Sequence, residues 1–351
     1  MVFRLFEALK KYTEIPGPIG YEGRVQKAFI EDLKPLTEEI QVTKVGNVLA
    51  HFPGKGPRVL ICGHADEICY FVLSITEEGF LHITRYVSST DSVNYPYCLV
   101  GQSALIIGDT EDVKGVFVAP SGHVLRFKER EMPLEEWKVL VDIGASSREE
   151  VLERGIHVGS PIVWNPNTQR LGKKAFGKAM DDRISHVVMI ELAKRLQDLR
   201  LPCDLYFAST IQEEIGLKGA EELAGLGYDV TIALDIGIAG DYPSLDKGRM
   251  PIKLGEGPVI VYKDSLIHYN LEVIKGLRST AERNGIPFQH GVFTSYGSDG
   301  ATMVRGGSKT SLIAIPCRYT HTPFEMIHED DLENTISLLF HYITEEFVGR
   351  T

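Results

Sequence analysis

Cys203-Asp-Leu-Tyr-Phe-Ala-Ser-Thr-Ile-Gln-Glu-Glu-Ile-Gly216 sets two adjacent carboxylates, Glu213 and Glu214, just past a short apolar run. Cys203 to Thr210 reads as a buried strand. Adjacent acids at a strand end repel each other and add nothing to a core, so they need a positive charge or a proton-transfer task to keep them there. One acid binding a metal while its neighbour handles protons would explain the pair. Taken alone, such a pair is more often a solvated loop or the start of a helix, and its meaning depends on the rest of the chain.

Outward from this stretch, Arg58-Val-Leu-Ile-Cys62 is another apolar run, bounded by Gly56-Pro57 and Gly63. It suits a strand buried on both faces of a sheet. Val230 to Asp235 and Ser311 to Ile315 read the same way. Helical spacing predicts helices over Glu22 to Leu33, Ile184 to Leu196, Asn270 to Arg283 and Asp330 to Phe347, and Met1 to Lys11 reads as an amphipathic helix. This alternation implies an α/β layered domain with a largely parallel sheet, where ligands sit at the carboxyl ends of strands. From Tyr70 to Val163 the texture changes to short strands: Phe80 to Tyr86, Ala104 to Ile107, Gly115 to Ala119 and Pro161 to Trp164. That segment predicts a small β-rich domain, residues 69–163, inserted into a catalytic domain of residues 1–68 and 164–351.

Composition sets the outer limits. The 351 residues are 43% hydrophobic and 24% charged, as in ordinary soluble globular proteins, and suffice for one large or two ordinary domains. A formal charge of -11 argues against a nucleic-acid partner. No stretch approaches the roughly 20 apolar residues that span a bilayer, and charges interrupt the N-terminus where a signal peptide would be continuous. Five cysteines without a C-x-x-C spacing point away from a thiolate zinc site or a disulfide framework, and towards a reducing cytoplasm.

Several predicted strand or helix ends in the α/β part finish in a potential metal ligand. Arg58 to Cys62 runs into Gly63-His64-Ala65-Asp66-Glu67, and Val230 to Leu234 ends at Asp235. Ser311 to Ile315 leads through Pro316-Cys317-Arg318-Tyr319-Thr320 into His321, while Asp181-Asp182-Arg183 opens a helix. Each piece alone has a plain structural explanation: a hydrogen-bonded loop, a turn, or acids matched to a helix dipole. Jointly they set two imidazoles and several carboxylates at one sheet edge. Histidine with oxygen ligands and no thiolate suits Zn²⁺, Co²⁺ or Mn²⁺. Two such ions about 3.5–4 Å apart can clamp a nucleophilic water, with one acid bridging and one unligated acid moving the proton. His64, Asp181, Glu213, Glu214, Asp235 and His321 supply that set.

At these residues the chain resembles the M42 metallo-aminopeptidases, the glutamyl aminopeptidase and tetrahedral (TET) aminopeptidase group. The likeness runs from Ile15-Pro-Gly-Pro-Ile-Gly-Tyr-Glu22 to His321-Thr-Pro-Phe-Glu325. Between them lie His64-Ala-Asp-Glu-Ile68, Val141-Asp-Ile-Gly-Ala-Ser-Ser147, Lys178-Ala-Met-Asp-Asp-Arg183, Gln212-Glu-Glu-Ile-Gly216 and Ser298-Asp-Gly-Ala301. The resemblance implies that Asp181 bridges two metals, His64 and Asp235 completing one and Glu214 and His321 the other. It implies Glu213 as general base, Asp66 holding His64 in its ligating tautomer, and a cis peptide at Asp181-Asp182. It also implies a zinc-peptidase-like α/β/α layered catalytic domain and a β-barrel-like (PDZ-like) insert used in oligomerisation. Assemblies of this kind are dodecameric tetrahedra built from dimers, enclosing active sites that admit short peptides. Cys69 after Ile68, and Asp235-Ile-Gly-Ile-Ala-Gly-Asp241 where many relatives read Asp-Val-Thr-His-Ala-Gly-Asp, depart from the pattern and bear on substrate preference.

The leading expectation is therefore a co-catalytic di-metal aminopeptidase, with Zn²⁺ or Co²⁺ favoured and Mn²⁺ allowed. A related di-metal deacetylase or carboxypeptidase shares the ligand set, and Arg249 or Arg305 could hold a free carboxylate in the latter. A glycosidase built on two carboxylates leaves both histidines unexplained. A metal-stabilised oligomeric scaffold would bind metal and hydrolyse nothing.

Overall fold

The computed structural model describes residues 2–86, 98–126, 134–243, 245–246 and 248–349. Met1 of the predicted N-terminal helix, and parts of the predicted β-rich segment, lie outside them. The chain divides into two compact units, Met1–Asp66 with Thr168–Thr351, and Glu67–Asn167.

The first unit opens with helices α1 (Val2–Glu14) and α2 (Gly23–Leu33) and strands β1 (Ile40–Val42), β2 (Val48–Phe52) and β3 (Arg58–His64). The second unit holds β4 (Tyr70–Ile75), β5 (Leu81–Arg85), β6 (Ser103–Ile107), β7 (Asp112–Val118), β8 (Leu140–Asp142), helix α3 (Arg148–Glu153) and β9 (Pro161–Trp164). Its six strands close into a barrel in the order β4-β5-β8-β7-β6-β9. Alternation explains the closure: Val72, Leu81, Ile83, Ile106, Phe117, Val141 and Ile162 point to one apolar core. Gly115 fits there because a Cβ would meet the Asp142 carbonyl oxygen at 2.8 Å.

The chain then returns to the first unit through β10 (Gln169–Leu171), β11 (Lys174–Gly177), α4 (Met180–Leu196), β12 (Asp204–Thr210), α5 (Lys218–Ala224) and β13 (Val230–Ile238). It finishes with β14 (Val259–Lys263), α6 (Leu271–Arg283), β15 (Gln289–Val292), α7 (Gly300–Met303), β16 (Lys309–Arg318), β17 (Glu325–His328) and α8 (Glu329–Glu345). Asn270 caps α6 as its side chain accepts the Glu272 and Val273 N–H groups, a device worth about 1 kcal/mol. Helix α4 is buried nearly all round and packs on β3 and β13 as well as on α1 and α8.

The sheet corrects one expectation. Its centre, β12-β3-β13-β16, is parallel, but β1, β2, β14, β17, β11 and β10 join through antiparallel pairs, so the sheet is mixed rather than largely parallel. Strands β1, β10, β11 and β17 lack the apolar runs that marked the centre. A second correction concerns Asp235, which was expected to end its strand. Ile236, Gly237 and Ile238 continue the ladder opposite Ile315, Pro316 and Cys317, so Asp235 sits inside β13. Likewise β3 runs on to include His64.

Candidate metal centre

The carboxyl ends of β3 and β12, the interior of β13, and the exits of β11 and β16 bring the candidate residues together. His64 closes β3, and its N–H donates to Asp182 Oδ2 at 3.1 Å. Gly63 before it allows α4 to come close, since a Cβ there would lie 2.2 Å from Ser185 Oγ and 2.6 Å from Asp182 Oδ2. Asp181 follows β11, Glu213 and Glu214 follow β12, and His321 follows β16. The Asp181-Asp182 peptide is cis.

Asp181 stands between the two imidazoles. Its Oδ1 is 3.1 Å from His64 Nε2 and its Oδ2 is 3.3 Å from His321 Nε2. Glu214 Oε1 lies 3.2 Å from His321 Nε2. Donor atoms of His64, Asp181 and Glu214 lie within 4.8 Å of one another. Ligands about 2.0–2.2 Å from a tetrahedral ion are themselves roughly 3.3 Å apart, so these separations suit a cation between the partners. Glu213 Oε2 is 4.0 Å from His64 Nε2. Asp235 is near enough that the charges of Asp181, Glu213 and Asp182 add to burial in holding its carboxyl well above the usual range.

Two further observations test the fit of a metal. Glu214 Oε1 is buried and lacks a hydrogen-bond donor even though an imidazole nitrogen is close by. His64 Nδ1 lies 3.2 Å from the Asp66 main-chain oxygen and 3.5 Å from Asp66 Oδ1. A neutral His64 whose Nδ1 donates to the Asp66 carbonyl would turn the Nε2 lone pair towards Asp181. A lone pair facing a carboxylate is repulsive unless a cation or a proton lies between them. The donor set fits a divalent cation.

Electrostatics point the same way. Burial pushes Glu213 well above the usual carboxylate range, and Asp299, Glu214 and Asp66 add to it against the opposing pull of His64. Burial also raises Asp182, and lifts Asp299 to about 6 and Glu325 to about 8. Burial alone would lower His64, but hydrogen bonds to Asp181 and Asp66 raise it well above its ordinary value. His321 rises likewise, the Glu214 charge and Asp181 overcoming burial. Asp181 alone is lowered: hydrogen bonds from His321 and His64 outweigh its burial. Carboxylates outnumber imidazoles in a largely buried cluster, a charge excess that a bound cation would relieve.

Main-chain hydrogen bonds hold the acid pair in place. Asp66 Oδ1 and Oδ2 accept the N–H groups of Glu213 and Glu214 at 3.0 and 3.1 Å. Glu22 Oε1 accepts the N–H of Gln212 at 3.2 Å, where the backbone takes φ +51°. Thr210 Oγ1 donates to Asp299 Oδ2 at 2.6 Å behind the pair. Asp182, Glu22, Asp299 and Glu325 carried no assigned role in the sequence. Their signal was weak because each serves at least one main-chain group or hydroxyl far away along the chain. His186 is buried against Tyr12 and Phe29, and its Nε2 lies 2.7 Å from Ser209 Oγ, a packing role. All five cysteines are free. Among the described residues no helix is long and apolar enough to cross a membrane.

Comparison with known proteins matches residues 46–338 to the M42 glutamyl aminopeptidase family. The chain is 33% identical to the lysyl aminopeptidase of Pyrococcus furiosus over 342 residues, 95% of each chain. It superposes on the TET aminopeptidase of a marine-sediment archaeon, Thaumarchaeota archaeon SCGC AB-539-E09, with a TM-score of 0.91 and 32% identity over 99% of both chains. It is also similar to the TET1 peptidase of Pyrococcus horikoshii, which assembles into a tetrahedron or a large octahedral shell. There the TM-score is 0.86 and the identity 31%, over 97% of this chain and 99% of that one. These relatives share the mixed α/β fold.

Proposed function

The chain belongs to the M42 glutamyl aminopeptidase family, and from that premise we propose that it removes the N-terminal residue of short peptides at a two-metal centre. The observation that carries the reading is the division of Asp181: one oxygen faces His64, the other His321. A carboxylate so placed suits two cations rather than one. His64 and Asp235 would hold one divalent ion, Glu214 and His321 the other, and Asp181 would be common to both. When bound, such ions polarise a peptide carbonyl and lower the pKa of the attacking water.

Glu213 is the acid left free. Asp66 fixes its backbone, and its carboxylate stands beside the pocket within 4.0 Å of His64 Nε2. It takes the proton of the attacking water and returns it to the departing amine. The surplus carboxylates also bind the free α-ammonium of the peptide, which confines cleavage to the N-terminus. The barrel unit is the proposed contact between copies in a tetrahedral, dodecameric homo-oligomer, a reading supported by the likeness to the Pyrococcus horikoshii assembly.

The test is a panel of aminoacyl-anilides and an N-terminally blocked peptide, assayed after loading stripped protein with Zn²⁺, Co²⁺ or Mn²⁺. Cleavage of the anilides only is expected. Cleavage of the blocked peptide would favour the deacetylase or carboxypeptidase chemistry, and no cleavage at all would leave a metal-holding scaffold.

A further inference from the structure

Glu325 opens β17, a strand held between β16 and β11 by antiparallel pairing on both edges. Those two neighbours are the strands whose exits carry candidate ligands: β11 leads to Asp181 and β16 leads to His321. Antiparallel pairing brings the first residue of β17 to the same edge as both exits, with Glu325 opposite Gly177.

The Glu325 side chain spans the two exits. Its Oε2 accepts the Asp181 N–H at 3.0 Å and its Oε1 accepts the His321 N–H at 2.7 Å. Thr320 Oγ1, between them, donates to Asp181 Oδ2 at 3.0 Å. The residue is buried, 2% exposed, and without it the buried Asp181 N–H would lose its acceptor. Both exits are irregular: Ala179, Tyr319 and His321 take φ of +53°, +62° and +60° without being glycine. Backbone of that kind persists only where its surroundings fix it.

We propose that Glu325 is a positioning residue for the metal centre. Its carboxylate sets the separation and direction of Asp181 and His321, so that the bridging carboxylate and its imidazole face one ion. The inference rests on the two-metal reading above. A matched control lies elsewhere in the same unit. Asp331 on α8 is also buried and also accepts two main-chain N–H groups, those of Gly255 at 2.7 Å and Gly257 at 2.8 Å, yet neither partner is a candidate ligand.

Full-length wild type, Glu325→Gln, Glu325→Asp and Asp331→Asn would be stripped and titrated with Co²⁺, reading the visible absorption of the bound ion and the melting temperature of the stripped protein. Glutamine is isosteric but turns an N–H against one of the two N–H donors. Glu325→Gln is expected to weaken Co²⁺ binding roughly 10–100-fold and to change the absorption band. Asp331→Asn should lower the melting temperature and leave the Co²⁺ affinity and absorption band as in wild type. Glu325→Asp keeps both acceptor oxygens on a shorter arm and should recover part of the affinity. Wild-type affinity and spectrum in Glu325→Gln would overturn the proposal. Should that variant fail to fold, wild-type affinity in Glu325→Asp would overturn it, and weakened affinity would uphold it. A wild type that takes up no Co²⁺ would instead overturn the two-metal reading, and the inference with it.

Discussion

The barrel unit and the α/β unit bury very different chemistry. Among the described residues, the buried polar side chains of the barrel unit are Glu67 and Ser160, and its core is otherwise apolar. The α/β unit buries His64, Asp66, Asp181, Asp182, Glu213, Asp235, Asp299 and Glu325 around one edge of its sheet. A dry cluster of acids opposes folding unless hydrogen bonds or cations compensate it, whereas the barrel has no such debt to offset. The contrast teaches where to look for chemistry: function lies where the buried charge is, and stability lies where it is absent.

The largest expected effect separates the two properties at Glu213. Glu213→Gln should lower kcat about 10²–10⁴-fold while leaving bound metal and the melting temperature near those of wild type, measured by elemental analysis and calorimetry. Retained turnover would remove Glu213 from its proposed role. The converse change belongs to the barrel. Phe117 is fully buried among its core residues, in edge contact with Tyr70 at 5.7 Å between ring centroids. Phe117→Ala should cost roughly 3–5 kcal/mol in denaturant unfolding and leave kcat per metal-loaded chain unchanged. Equal losses of kcat and stability would erase the contrast between the units.

The apolar strands were the part of this organisation most legible in the sequence. Runs such as Arg58 to Cys62 and Ser311 to Ile315 lie in the parallel centre because both their faces are covered. Their acids and imidazoles stood out because such residues have no business at the end of a buried strand. The flanking strands were not legible: β10, β11 and β17 are three or four residues long and owe their pairing to tertiary context. Asp235 misled because an acid followed by Ile236-Gly237 looks like a turn, whereas cross-strand pairing to β16 carries the strand onward. Asp66 and Glu325 illustrate the other limit. The Asp66 carboxylate serves main-chain N–H groups on a distant segment, as does one oxygen of Glu325, and sequence spacing carries no trace of those partners.

A smaller effect comes from a polar group of the α/β unit away from the cluster. His51 on β2 lies between Glu39 and Asp204, 2.6 Å from each, and stacks on Tyr206. Burial would lower its pKa, but the hydrogen bonds to Asp204 and Glu39 raise it above the ordinary 6.5. A raised histidine pKa adds stability that is fully present below the unfolded value and is lost as pH climbs through the folded one. Denaturant unfolding of wild type should therefore lose a small increment of stability as pH rises above 6.5, and His51→Gln should lack that increment. Parallel pH profiles for the two proteins would refute it.

Metal stoichiometry tests the central claim most directly. Wild-type protein, loaded with Zn²⁺ and freed of excess, should hold about two ions per chain, as a shared carboxylate requires. Asp181→Asn, which keeps the shape but loses the charge common to both ions, should hold at most one. One ion per chain in wild type, or two retained by Asp181→Asn, would contradict the account.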